Sequence, residues 1–119
     1  MQGRLKSATT MEETEFIWHK GDLVPWKDAT VHVMTHALHY GSSVFEGIRV
    51  YDTKNGPAFL CLSRHLKRFY DSARIYRMDM PLEIEALTAA CHQVITANKL
   101  KAAYVRPLAY RGYGAITVY

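Results

Sequence analysis

From Val44 to Asp52 the side chains alternate in character, and that alternation commits the segment to a strand with two unlike faces. Val44, Glu46, Ile48 and Val50 point one way and Phe45, Gly47, Arg49 and Tyr51 the other, because successive residues of a strand project to opposite sides. Lys54-Asn55-Gly56-Pro57 follows, an Asn-Gly turn signal between strand-like runs, and Ala58 to Leu62 reads as the returning strand. An antiparallel hairpin is thus the best-defined local unit.

Around it the periodicity changes twice. Phe16-Ile17-Trp18-His19 and Leu23-Val24-Pro25-Trp26 flank Lys20-Gly21-Asp22 as a second hairpin, and Val33 to Gly41 is irregular and rich in histidine. Ser63 suits the N-cap of a helix in which Leu66, Phe69, Tyr70, Ala73 and Tyr76 recur at helical spacing. Pro81, Glu83 and Glu85 suit the first turn of another. Its apolar stripe is Ile84, Leu87, Cys91, Val94 and Ile95, and it stops at Asn98-Lys99. Ala102 to Tyr110 returns to strand, with Tyr104, Arg106, Leu108 and Tyr110 on one face. Gly112 and Gly114 then turn the chain into the strand-like Ile116-Thr117-Val118-Tyr119. This order predicts an α+β fold, an antiparallel sheet with two helices packed on it. Met1 to Glu15 reads as a polar extension and residues 16–119 as the domain. A strand-like run at the last residue leads us to expect that the natural chain continues.

Composition narrows the function classes. At 119 residues the chain fits one domain, large enough for a core but short for a self-sufficient cofactor enzyme. The 15 Lys and Arg against 11 Asp and Glu are scattered rather than blocked, which gives a nucleic-acid partner little support. Cys61 and Cys91 form neither a disulfide framework nor a zinc pattern and are expected as buried reduced thiols of a cytoplasmic protein. No run approaches the roughly 18 apolar residues of a membrane span, and no signal peptide is recognisable. Nucleophile-elbow, Walker and dinucleotide motifs are missing from the sequence.

Two strand faces could carry chemistry. Arg49 beside Phe45, Gly47 and Tyr51 faces either solvent or a polar cleft, and a glycine inside a strand often marks close approach of a ligand or another backbone. Tyr104 and Arg106, two apart, project to the same side. Aromatic walls with guanidinium forks suit a small carboxylate; a plain exposed face with snorkelling arginines is the alternative. Arg68, near a helix start, is either solvated or a phosphate ligand. His32, His36 and His39 are spaced four and three apart. They invite a metal reading but lack a complete ligand set, so hydrogen-bonded structural roles and no metal are expected.

The stretch from Val31 to Arg49, with its Phe45-Glu46-Gly47-Ile48-Arg49 string, resembles the branched-chain amino acid aminotransferases, pyridoxal-phosphate enzymes of fold type IV. His65-x-x-Arg68, Asp71-Ser72-Ala73 and Tyr104-Val105-Arg106-Pro107 continue the likeness in order. The resemblance implies an N-terminal small domain. Arg68 grips the phosphate of pyridoxal phosphate in this scheme, and Phe45, Gly47, Arg49, Tyr104 and Arg106 shape the substrate surface. Arg106 accepts the second carboxylate of glutamate, and Tyr40 reaches across a homodimer, or a higher assembly, into the partner's site. The implied substrates are leucine, isoleucine, valine, glutamate and their 2-oxo acids. The family's Schiff-base lysine would lie beyond residue 119, so the chain alone is expected to be inactive. After Arg111 the likeness weakens, leaving any role for Val118 open. A free-standing small-ligand or dimerisation module is the rival reading, because a fold alone does not establish function.

Overall fold

The computed structural model describes residues 12–113 and the backbone of 116–118; the expected extension up to Met11, and Gly114, Ala115 and Tyr119, lie outside the described residues. The first hairpin pairs β1 (Phe16–His19) with β2 (Asp22–Pro25), Phe16 opposite Pro25 and His19 opposite Asp22. Its loop is Lys20-Gly21, with φ of 56° and 98°, the sense of rotation that suits a two-residue hairpin. Trp26 leaves the strand and opens a single 3-10 turn, Trp26–Asp28. Within the histidine-rich segment a short helix, α1 (His36–Tyr40), is stopped by Gly41 at φ 65°, whose N–H donates to Ala37 O at 2.8 Å.

The two long strands expected from alternation are each divided. Val44–Asp52 separates into β3 (Ser43–Phe45) and β4 (Ile48–Thr53); β5 (Gly56–Phe59) returns beside β4. Ala102–Tyr110 likewise separates into β6 (Ala103–Val105) and β7 (Leu108–Arg111). The register does not slip across the breaks. Phe45 faces Leu108 in one sheet and Ile48 faces Val105 in the other, so Glu46-Gly47 lies opposite Arg106-Pro107. Pro107 has no N–H for the ladder, and Gly47 weakens its own strand. Glu46 N–H still donates to Pro107 O at 3.2 Å across the gap. The described strands form the pair β1-β2 and the sheets β5-β4-β6 and β3-β7-β8, where β8 is Ile116–Val118; all pairings are antiparallel.

Two longer helices cover this framework, as expected. The first, α2 (Leu62–Ile75), starts earlier than Ser63 predicts: Cys61 holds the N-cap position at φ 56°, and no side chain caps the end. Leu62 is therefore helical rather than part of β5. Leu66, Phe69 and Ala73 are buried, but Tyr76 is exposed beyond the last turn. The second, α3 (Ile84–Ala97), buries Leu87, Ala90, Cys91 and Ile95. Ile48 and Ala109 from the sheets meet Leu66, Phe69, Ala73, Met78, Leu87, Ala90 and Cys91 in one core. Cys91 is buried as expected, whereas Cys61 is exposed because the N-cap position lies at the helix mouth.

Polar ties fix the layers. Tyr70 Oη donates to Leu82 O at 2.7 Å; burial, then the charges of Glu83 and Glu85, push its hydroxyl up to about 12. Asn98 at the end of α3 accepts from Phe16 N–H at 2.8 Å and donates to Phe16 O at 3.0 Å, pinning the first hairpin. No helix among the described residues is long and apolar enough to cross a membrane.

Candidate functional site

The gap between the four short strands gathers the residues that alternation had assigned to two separate faces. Arg49 stands directly opposite Tyr104 in the β4–β6 ladder. The Arg106 guanidinium lies 4.5 Å from the Phe45 ring centroid and 5.4 Å from that of Tyr104. Its Nη2 makes a long 3.4 Å hydrogen bond to Tyr104 Oη. Tyr104 itself leans across Gly47, where a β-carbon would lie 2.7 Å from Tyr104 Cζ. Phe45, Gly47, Arg49, Tyr104 and Arg106 thus form one surface. Its large side chains are exposed, Phe45 to 53% and Tyr104 to 54%. A guanidinium packed against two aromatic rings keeps, for a carboxylate, the N–H groups that Tyr104 does not use.

On its other side the same strand break turns Glu46 inward, where it is only 5% exposed. A buried carboxylate needs partners, and helix α2 supplies two. Arg68 Nε donates to Oε2 at 2.7 Å and its Nη2 to Oε1 at 2.8 Å. His65 Nδ1 lies 2.8 Å from Oε1; an ionised carboxylate only accepts, so that ring nitrogen carries the proton. The hydrogen bond from Arg68 holds the Glu46 carboxyl below its usual range against the opposing effect of burial, and His65 adds to the lowering. In return Glu46 raises the pKa of Arg68, through the hydrogen bond first and its charge second.

Glu46 and His65 are the site residues that sequence reasoning passed over. Two signals were present: an acid on the inward face of an apolar strand, and a histidine and arginine three apart, which share one face of a helix. Tyr40 is not brought to this cluster. It projects from α1, 76% exposed, with its ring 4.6 Å from that of His36. The histidines of that segment make local bonds. His36 Nδ1 pairs with Ser42 Oγ at 2.6 Å, His39 Nε2 with Val33 O at 2.8 Å, and His32 Nδ1 accepts from Met34 N–H at 3.0 Å. A cavity of about 420 Å³ lies between the first hairpin, α3 and the β6–β7 segment, lined by Trp18, Leu87, Val94 and Val105 and reaching Tyr104 and Arg106 at its edge.

Known proteins resemble this chain over most of its length. The family described as amino-transferase class IV matches residues 43–118. The branched-chain-amino-acid aminotransferase of Escherichia coli (strain K12) is 50% identical over 103 residues, 87% of this chain and 33% of the relative. That of Pseudomonas aeruginosa is 46% identical over 96 residues, 81% of this chain and 31% of the relative. Among solved structures, the Escherichia coli branched-chain amino acid aminotransferase superposes with a TM-score of 0.82 at 50% identity, covering 84% of this chain and 33% of that one. The T.th. branched-chain amino acid aminotransferase complexed with N-(5'-phosphopyridoxyl)-L-glutamate gives a TM-score of 0.85 at 46% identity, covering 88% and 36%. The chain spans about a third of the length of the relatives it matches. With the family matched across both halves of the strand gap and across α2 and α3, the chain belongs to the class IV aminotransferases.

Proposed function

We propose that this chain is the N-terminal, substrate-shaping part of a branched-chain amino acid aminotransferase, which exchanges an amino group between leucine, isoleucine or valine and 2-oxoglutarate. The observation that carries the reading is the placement of the Arg106 guanidinium against Phe45 and Tyr104. One surface then offers apolar walls to a branched side chain and a paired-donor cation to the distal carboxylate of glutamate.

Pyridoxal phosphate fits the remaining chemistry, and the T.th. relative has been crystallised both with pyridoxamine 5'-phosphate and with N-(5'-phosphopyridoxyl)-L-glutamate. Arg68 is the residue we assign to its phosphate: the side chain is 68% exposed, and the guanidinium edge away from Glu46 keeps N–H donors for an anion. When bound, the cofactor supplies the electron sink for chemistry at the α-carbon. Phe45, Gly47, Arg49 and Tyr104 orient the substrate side chain, and Arg106 selects its charge. The lysine that carries the cofactor belongs, on this reading, to the rest of the protein; Lys20, Lys27, Lys54, Lys67, Lys99 and Lys101 here are all exposed. Tyr40, exposed as Val33, Met34 and Leu38 are, is assigned to the partner subunit's site in a homodimer. A cytoplasmic location is consistent with two free cysteines.

The test is turnover by the full-length protein with pyridoxal phosphate, offering each branched-chain amino acid with 2-oxoglutarate and measuring glutamate. Arg106→Gln should raise KM for 2-oxoglutarate about tenfold or more, the scale of a lost charged hydrogen bond, and change KM for leucine far less. A folded, cofactor-loaded protein that turns over none of the three amino acids would overturn the proposal.

A further inference from the structure

Helix α2 meets Glu46 in a way that does more than neutralise a buried acid. The carboxylate takes Arg68 along the Nε–Nη2 edge of its guanidinium, at 2.7 and 2.8 Å, and takes His65 Nδ1 on Oε1 at 2.8 Å. Glu46 is 5% exposed while the Arg68 side chain is 68% exposed. The fork is therefore clamped on its protein side, leaving Nη1 and one N–H of Nη2 on the edge that faces away. An arginine side chain otherwise samples many rotamers, and ordering it on binding weakens affinity. His65, one turn before Arg68 on the same helix face, holds the carboxylate in place.

We propose that Glu46 and His65 are positioning residues for Arg68, clamping one edge of its guanidinium so that the other meets the cofactor phosphate as a preformed fork. The inference rests on the reading of Arg68 as the phosphate ligand. Two effects of Glu46 oppose one another. Its charge weakens the attraction between Arg68 and any anion, whereas its clamp lowers the cost of ordering Arg68. Removing the charge thus strengthens phosphate binding if neutralisation dominates and weakens it if positioning dominates.

The experiment uses the full-length protein freed of cofactor. Dissociation constants are measured for pyridoxamine 5'-phosphate and, as a phosphate-only probe, for inorganic phosphate by competition, with thermal melts alongside. Glu46→Gln should weaken both ligands about three- to tenfold, the scale of one newly immobilised side chain, and His65→Asn should weaken both less. In an Arg68→Gln background, Glu46→Gln should add no further loss, since the two act through one contact. Equal or tighter binding in Glu46→Gln, with Arg68→Gln defective, overturns the positioning role alone. Unchanged binding in Arg68→Gln overturns the phosphate reading and this inference with it. Should Glu46→Gln not fold, Glu46→Asp decides, because it keeps the charge but withdraws the clamp by one methylene. Weakened binding there supports positioning, and unchanged binding overturns it.

Discussion

The ring of Tyr104 occupies the space in which a side chain on residue 47 would begin. A β-carbon at Gly47 would overlap Tyr104 Oη and lie 2.7 Å from Cζ and 2.9 Å from Cε2. The glycine is needed for room rather than for backbone freedom, since its φ is not positive. Gly47→Ala should displace Tyr104, and because that ring is half exposed it can swing outward at small cost. Stability of the full-length protein should change by less than about 1 kcal/mol. Binding of a leucine-like carboxylate such as 4-methylvaleric acid should weaken about tenfold or more, as misplacement of a contact surface does. Urea denaturation and ligand titration check the two halves; full affinity in the variant would refute this role for the glycine.

Acid should weaken the fold through Glu46. Its folded pKa lies below the ordinary carboxylate value, because of the Arg68 hydrogen bond first and His65 after burial is set against them. Its contribution is therefore complete above the unfolded carboxylate range, about pH 4–5, and is lost as pH falls through the lowered folded value. Glu46→Gln should cost about 1–3 kcal/mol at pH 7, the scale of a buried polar group losing charged partners. That difference should shrink as denaturation is repeated from pH 5 towards pH 3. A gap between wild type and variant that stays constant over this range would show that the carboxylate does not titrate with folding.

Much of this arrangement was legible in the residue pattern, and all but one of the exceptions share a cause. Alternation along Val44–Asp52 sorted the side chains correctly: Val44, Glu46, Ile48 and Val50 are buried or half-buried, while Phe45, Arg49 and Tyr51 are exposed. The division of that strand was not legible from it alone, because the break depends on what stands opposite. That Pro107 stands opposite Glu46 and Arg106 opposite Gly47 follows only once the register is known. The same holds for the site. Residues two apart on one strand could be paired from sequence, but Arg106 against Phe45 and Arg49 against Tyr104 needed the cross-strand register. Glu46 with Arg68 joins the break between β3 and β4 to a helix 22 positions on, beyond the reach of any local periodicity. Ser63 misled for a different reason: the chain enters α2 through a left-handed turn at Cys61, a backbone choice that cysteine does not advertise.

The two cysteines should differ sharply in reactivity. Cys91 sits in the core, and burial pushes its thiol up to about 11. At pH 8 only about one molecule in a thousand then carries the nucleophilic thiolate at that position. Cys61 is exposed at the mouth of α2. Iodoacetamide at pH 8 should label the peptide containing Cys61 in the folded protein and reach Cys91 only after denaturant is added, as peptide mass mapping will read directly. Equal labelling rates without denaturant would place Cys91 outside the core.

Asn98 should govern how firmly the first hairpin is attached. Its side chain uses Oδ1 to accept Phe16 N–H at 2.8 Å, and Nδ2 to donate to Phe16 O at 3.0 Å and Val94 O at 2.9 Å. One amide thus closes the end of α3 and satisfies both backbone groups of the residue that starts β1. Asn98→Ala removes three hydrogen bonds; Phe16 O keeps the Thr14 hydroxyl and Val94 O keeps the backbone N–H of residue 98, so the half-buried Phe16 N–H is the group that loses its partner, at a cost of about 1–3 kcal/mol. Asn98→Asp keeps the acceptor for Phe16 N–H but loses both donors, so its Phe16 amide should stay better protected than in the alanine variant. Hydrogen exchange at Phe16 separates the cases: protection should fall in the order wild type, Asn98→Asp, Asn98→Ala. If Asn98→Ala leaves the Phe16 amide as protected as in wild type, the hairpin is held by the packing of Trp18 against the core and not by this amide.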